Sequence, residues 1–414
     1  MVQDQVIATL ELIAGDFAVT IFDKNEYDRS WYQTDLNADQ VQAASVDENK
    51  IVSHRKDLGD PVMNASQFRA SYGKKLHYQK LAMESREAWQ HINEEVAEEL
   101  FVGCGMLRVQ PNDELGALEK ETLANMERAN LRGTQFVASD PIDRARAVEM
   151  GWAPKLLAFE MPDSSPTKTF EAVLDSTAGF TYCSNACVHF LRRAIALGVS
   201  VVFGGQQGTF ESLVEEDSSH SPFKRAVGLK TKDGKVHNAD IVVIAAGSFS
   251  TQVLPTLSYH LESSAGSIAK FKVHHSQTEL WNKFAPENFP VITWKSAKRD
   301  QQGKDVGSVY AFPRTPEGII KIGYRGIKFT NFEPAPQRSQ FTQEGKWSVP
   351  LPADQSQRIP DAAEEAVRQF VSIFLSDLKD APFYSTKLCW YTDTLDNSFV
   401  VSGDMNLTLG RSLR

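Results

Sequence analysis

The chain has 414 residues, 42% hydrophobic and 23% charged, enough for two or three domains around a sizeable core. Its formal charge of −9 argues against nonspecific nucleic-acid binding, which needs a basic face. No run approaches the roughly eighteen consecutive apolar residues of a membrane span, and four cysteines in a chain this long make no disulfide framework.

In chain order, the opening MVQDQVIATLELIAGD carries acids and no basic start, so it does not read as a secretory signal. Residues 19–23, VTIFD, read as a buried strand ending in an acid. Residues 74–100 read as a long amphipathic helix, with Leu81, Trp89, Ile92 and Val96 as core contacts. FVGCGMLRV (101–109) is strand-like, and 112–131 reads as a helix with Asn112 at its N-cap. A helix over 184–197, capped by Ser184 and ending near Gly198, leads into a strand over 199–204. Cys183 and Cys187 have a spacing that could fit zinc, but no second Cys or His pair follows, and two small residues on one helix face is the simpler reading. A hairpin around Asp233-Gly234 precedes ADIVVIAAG (239–247), which reads as a buried strand stopping at a glycine. A second hairpin over 308–326 turns at Pro316-Glu317-Gly318. An amphipathic helix spans 361–378 after Pro360, and the last strand-like segment is 387–401. This order predicts an α/β portion joined to an α+β portion with a large antiparallel sheet.

Four places carry candidate chemistry. Asp23 ends a strand, where a dinucleotide-binding domain hydrogen-bonds ribose, although strand-end acids are common and no GxGxxG precedes it. ADIVVIAAG ends in small residues that let a ligand approach the backbone, or that simply make a tight strand exit. In IIKIGYRG (319–326), alternation puts Ile320, Ile322 and Tyr324 on one face and Lys321, Gly323 and Arg325 on the other. Lys321 is then a pocket lysine or a solvated one. Cys389, between Leu388 and Trp390, would by itself be read as merely buried.

Taken together, the strand-end acid, RASYG, GFTYCS, ADIVVIAAG, KIGYRG and CWYTDTLDNSF occur in an order similar to that of the sarcosine oxidase superfamily. Within it the chain resembles the branch of L-pipecolate, L-saccharopine and fructosyl amino acid oxidases. The resemblance implies an FAD-binding Rossmann-like domain, discontinuous over 1–94, 166–255 and 386–414. It also implies a substrate domain on a mixed antiparallel sheet over 95–165 and 256–385. The expected activity is oxidation of a secondary amine or N-substituted amino acid: hydride passes to flavin, and dioxygen is reduced to hydrogen peroxide. Cys389 matches the cysteine that carries FAD through its 8α-methyl group. Lys321 matches the lysine that assists oxygen reduction, Arg325 a residue facing substrate, and Arg69 a residue that binds the substrate carboxylate. Asp23, the adjacent Lys24, Lys50 and Gly247 fall at cofactor positions. GFTYCS favours the pipecolate and saccharopine oxidases over the fructosyl group, and a noncatalytic relative is the rival of a different class. The resemblance implies a monomer, the usual state of the family. Relatives are cytoplasmic or peroxisomal, although the final Ser-Leu-Arg is not the peroxisomal tripeptide. The sequence departs from the family pattern in lacking the glycine-rich turn, in placing 52–67 between Lys50 and Arg69, and in ending at VSGDMNLTLGRSLR. These departures predict that the chain as it stands binds FAD poorly or not at all.

Overall fold

A computed structural model describes residues 17–24, 65–73, 75–97, 99–161, 167–217, 224–295, 307–336 and 345–394. The early strands are β1 (Thr20–Asp23), β2 (Ala65–Phe68), β3 (Phe101–Val102), β4 (Met106–Val109), β5 (Gln135–Val137) and β6 (Ala172–Asp175). The middle strands are β7 (Gly179–Tyr182), β8 (Ser200–Phe203), β9 (Phe210–Glu216), β10 (Arg225–Thr231) and β11 (Val236–Asn238). Then come β12 (Leu261–Lys272), β13 (Val291–Trp294), β14 (Val309–Ala311) and β15 (Ile319–Phe329). The last are β16 (Phe332–Pro334), β17 (Lys346–Ser348) and β18 (Ser385–Thr394). The helices used below are α1 (Leu76–Glu95), α2 (Ala117–Arg128), α3 (Pro141–Glu149), α4 (Cys183–Ala196) and, near the C-terminal end, α5 (Asp361–Phe374). Among the described residues no helix is long and apolar enough to cross a membrane.

The main sheet has eight strands in the order β18-β12-β15-β14-β13-β4-β6-β5. Every neighbouring pair is antiparallel except β4 with β13, so the sheet is mixed. One face carries the largest core cluster. There α5 lays down Ala363, Val367, Phe370, Val371 and Phe374, at the spacing of a single helix stripe, against the sheet. Each large side chain buried this way contributes about 1.5–3 kcal/mol. The other sheets are a parallel β1–β8 pair, a three-stranded antiparallel sheet β11-β10-β9, a sheet β2-β7-β3 and an antiparallel β16–β17 pair. Asp23 therefore ends a strand, as expected, and that strand pairs in parallel with β8.

Several sequence expectations need correction. Leu81 is exposed, whereas Ala82 is buried and Trp89 and Ile92 pack against the α4 cluster. Leu81 lies about 100° around the helix from Ala82, which takes it off the core stripe. Asn112 caps no helix: α2 starts at Ala117 with Gly116 as N-cap, and the Asn112 side chain accepts from Glu114 N in a local turn. The 101–109 segment is two strands in different sheets, broken at a corner where Gly105 takes φ +80° and lies close to Trp152. α4 starts at Cys183 with Tyr182, not Ser184, at the cap.

ADIVVIAAG is not a strand. Residues 241–246 join no ladder, and Ile241 and Val243 are exposed. An apolar run becomes a strand only where neighbours take its N–H and C=O groups. Among the described residues, none lies alongside it.

Candidate functional site

Two groups of predicted residues emerge, on opposite sides of β12 and β18. The first lies on the main-sheet face turned away from the α5 core. Since Ala269, Phe271, Ile320, Ile322 and Tyr324 fill the core side, alternation sends Lys321, Gly323 and Arg325 to the other face. Cys389, opposite Gly266 in the β12–β18 ladder, shares that face with Tyr391. Cys389 is 5% exposed and Lys321 9%. The Lys321 ammonium sits 5.5 Å from the centre of the Phe312 ring.

Tyr310 of β14 stands opposite Gly323 of β15, and its ring lies directly over that glycine. A Cβ at 323 would fall 2.1 Å from the ring, so only glycine leaves room. Burial pushes the Tyr310 phenol above its ordinary pKa, with Lys321 and Arg325 pulling the other way. The phenol therefore stays protonated and can donate a hydrogen bond. Arg325 is exposed, with its guanidinium 4.8 Å from the Tyr391 ring centre. Burial raises the Tyr391 pKa as well, and Arg325 opposes it.

The second group borders a cavity of about 1220 Å³ that runs along the whole of β1 and along residues 238–246. It exceeds the roughly 300–1,000 Å³ of a drug-sized pocket. Asp23 lies at the edge of this cavity, 5% exposed, and its carbonyl accepts from Gly204 N. Lys24 reaches to 3.9 Å above the Phe249 ring. Desolvation lowers the Lys24 pKa, with Asp23 opposing and Lys232 assisting. Gly247, at φ +53°, opens a short helical turn just past the apolar segment. Its carbonyl accepts from Thr392 Oγ1 at 2.6 Å, three residues beyond Cys389 on β18. That bond joins the two groups.

Arg69 comes from the end of a different sheet, β2-β7-β3. It follows β2, is exposed, and stacks on Tyr72 at 4.7 Å. Its sheet meets the first group in the apolar cluster of Phe180, Tyr182 and Val102 with Phe312 and Tyr310, where Phe180 touches Phe312 edge to face. Lys50 lies outside the described residues. Cys187 is buried in the α4 cluster, and Cys183 Sγ contacts Thr181 Oγ1. Among the described residues no group of three His, Cys, Asp or Glu side chains is placed to hold a metal. Tyr310 and Tyr391 were missed at the sequence level. Tyr391 was within reach, since period two puts it on the Cys389 face, whereas Tyr310 needed the β14–β15 register.

The chain is 25% identical over 332 residues to the L-saccharopine oxidase of Schizosaccharomyces pombe (strain 972 / ATCC 24843), covering 79% of this chain and 69% of that protein. A thermally stable mutant of fructosyl peptide oxidase superposes with a TM-score of 0.67 at 19% identity, covering 94% of this chain and 77% of the other. The fructosamine oxidase Amadoriase II of Aspergillus fumigatus gives 0.65 at 20% identity, with 95% and 75% covered. At such identities these two structures establish the fold. The family described as FAD dependent oxidoreductase (DAO) matches residues 7–407. With that match across nearly its whole length, the chain belongs to the FAD-dependent oxidoreductase family.

Proposed function

We propose that the protein is an oxidase of a secondary amine or N-substituted amino acid, of the L-saccharopine or L-pipecolate type, with dioxygen as acceptor. The observation that carries this reading is the single sheet face that gathers Lys321, Tyr310, Arg325 and Cys389. The S. pombe relative, whose name is L-saccharopine oxidase, supports the substrate class.

The residues present fit FAD. The cavity beside β1 has room for a dinucleotide, a buried acid at its edge and small residues, Ala245 and Ala246, in its far wall. Asp23 would take ribose hydroxyls, the backbone near Gly247 would allow close approach, and Cys389 would form a thioether to the flavin. Bound flavin supplies the acceptor for the substrate's hydride. The chain's own residues do the rest. The Lys321 ammonium offsets negative charge growing on oxygen, an effect worth about 10²–10³ in rate for one well-placed group. Arg325 and Arg69 offer planar guanidinium groups to a substrate carboxylate. The Tyr310 phenol donates a hydrogen bond on the same face. In this reading the cofactor domain is built from 1–94, 166–255 and 386–414 and the substrate domain from the remainder. The protein works as a monomer in cytoplasm or peroxisome.

The test uses the full chain reconstituted with FAD. In acid, flavin should stay with the wild-type polypeptide and leave the Cys389→Ser variant. L-Saccharopine or L-pipecolate should release peroxide. Lys321→Met should slow flavin reoxidation by about 10²-fold or more while changing anaerobic reduction only a few-fold. Equal losses in the two half-reactions would rule out the oxygen role, and flavin released equally from both proteins would rule out the thioether.

A further inference from the structure

The register between β12 and β15 sets Lys270 directly across from Lys321. Lys270 alternates with Ala269 and Phe271, which face the α5 core, so its side chain shares the Lys321 face. Directly opposed residues on one sheet face have Cβ atoms about 4.5–5.5 Å apart. Lys270 is 1% exposed and Lys321 9%. The chain thus buries two lysines as one cross-strand pair, beside the thiol and phenol of its candidate site. From this geometry we infer that Lys270 is a positioning residue that sets the charge carried by Lys321. Its consequence for oxygen rests on the function proposed above.

Two effects act in the same direction. Burial strips water from an ammonium, and a like charge across the ladder opposes a second proton. The surroundings on that face reinforce this. Among the described residues, the titratable and charged groups there are Glu262 and Lys272 on β12, Arg325 and Lys328 on β15, Lys387, Cys389, Tyr391 and Asp393 on β18, and Tyr310 on β14. Of its two carboxylates, Asp393 is engaged by Lys328 at 2.5 Å and by the Ser264 hydroxyl, and Glu262 lies directly across from Asp393, eight residues along β12 from Lys270. Lys272 is directed toward the Tyr384 ring, 5.7 Å from its centre. The face is rich in cations, so the pair releases its first proton early and titrates as a unit in two steps. Lys321 then loses its full charge at a pH below the ordinary lysine value of about 10.4. Removing Lys270 should leave Lys321 charged to higher pH.

The experiment follows each lysine by NMR in the full chain after reductive ¹³C-methylation, with signals assigned from single lysine variants. In Lys270→Met the Lys321 midpoint should rise by about one pH unit or more, and in Lys321→Met the Lys270 midpoint should rise likewise. Lys270→Arg keeps the charge and should leave Lys321 low, while exposed lysines such as Lys80 stay fixed in every variant. The reciprocal variant preserves the test if one substitution impairs folding. A Lys321 midpoint unmoved by Lys270→Met, or raised as much by arginine as by methionine, overturns the inference. In the flavin-loaded protein, the pH limit of the oxygen half-reaction should rise with the midpoint. If the midpoints shift and the oxygen limit does not, the lysine pair stands and the oxygen role assigned to Lys321 falls.

Discussion

The contact between Gly323 and Tyr310 gives the sharpest test of how the site is assembled. Gly323→Ala adds one methyl group to the middle of β15. Built on the present backbone, that carbon would lie 2.1, 2.3 and 2.5 Å from three atoms at the outer end of the Tyr310 ring. Real carbons do not approach so closely, so the ring must swing away or β14 and β15 must separate. Inserting a methyl into a filled space costs about 1–3 kcal/mol. Alanine in a strand would otherwise be the better residue, by roughly 0.5–1 kcal/mol. The sign of the measured effect therefore separates the two contributions. Denaturant unfolding of wild type, Gly323→Ala, Tyr310→Ala and the double variant closes a mutant cycle. The reasoning requires Gly323→Ala to destabilise the wild type and to be neutral or slightly stabilising once Tyr310 is truncated, a coupling of about 1–3 kcal/mol. An equal cost in both backgrounds would show that the ring does not lie over the glycine, and the site geometry built on it would fail.

Three further outcomes are expected. Arg108 holds Glu119 at 2.6 Å and Asp175 at 3.3 Å, all three nearly buried, so Arg108→Met should cost about 3–5 kcal/mol in chemical denaturation; an unchanged midpoint would contradict the network. Although burial pushes the Asp143 carboxyl up, Arg132, Arg146 and the Val137 N–H hold its pKa below the ordinary value. A depressed folded pKa gives stability that is present above about pH 4 and is lost as pH falls through the folded value, so Asp143→Asn should flatten the acid side of the stability profile below that pH, and an unaltered profile would refute this. Cys389 is the proposed covalent hold on FAD, so Cys389→Ser protein should lose its colour on gel filtration where wild type keeps it; a variant that stays as yellow would disprove this.

How much of this was legible in the sequence depended on whether an element carries its own evidence. KIGYRG was read correctly because period two, with one apolar side, already states which face is buried, and VTIFD was read as a strand ending in an acid, as β1 does. The α5 stripe was equally plain. ADIVVIAAG looked like the most secure strand of all. Its apolarity is real, but the hydrogen bonds of a strand belong to its neighbours, and residues 241–246 have none alongside among the described residues. Leu81 was misplaced because one residue on a helix is about 100°, well within the error of reading a stripe by eye. Lys270 was invisible for another reason. In SIAKFKV it resembles any strand lysine, and its meaning comes only from the β12–β15 register that sets it against Lys321.

The strand β18 ties these pieces into one device. It presents Cys389 to the face of Lys321 and Tyr310, and three residues later Thr392 grips the Gly247 carbonyl at the end of the cavity beside β1. Three residues of strand span roughly 10 Å, so one short rigid segment fixes the separation of the thiol and the cavity's end. A slip of one residue would turn Cys389 into the core side and push Trp390 out. The opposite face of the strand prevents that. Trp390 is 1% exposed, packs with Ala265 and Leu388, and donates its indole N–H to Ser356 Oγ at 3.1 Å. A side chain that takes no part in the proposed chemistry thus holds the cysteine in register, and the Cys-Trp-Tyr-Thr run reads as thiol, lock, ring and anchor on alternating faces of one strand.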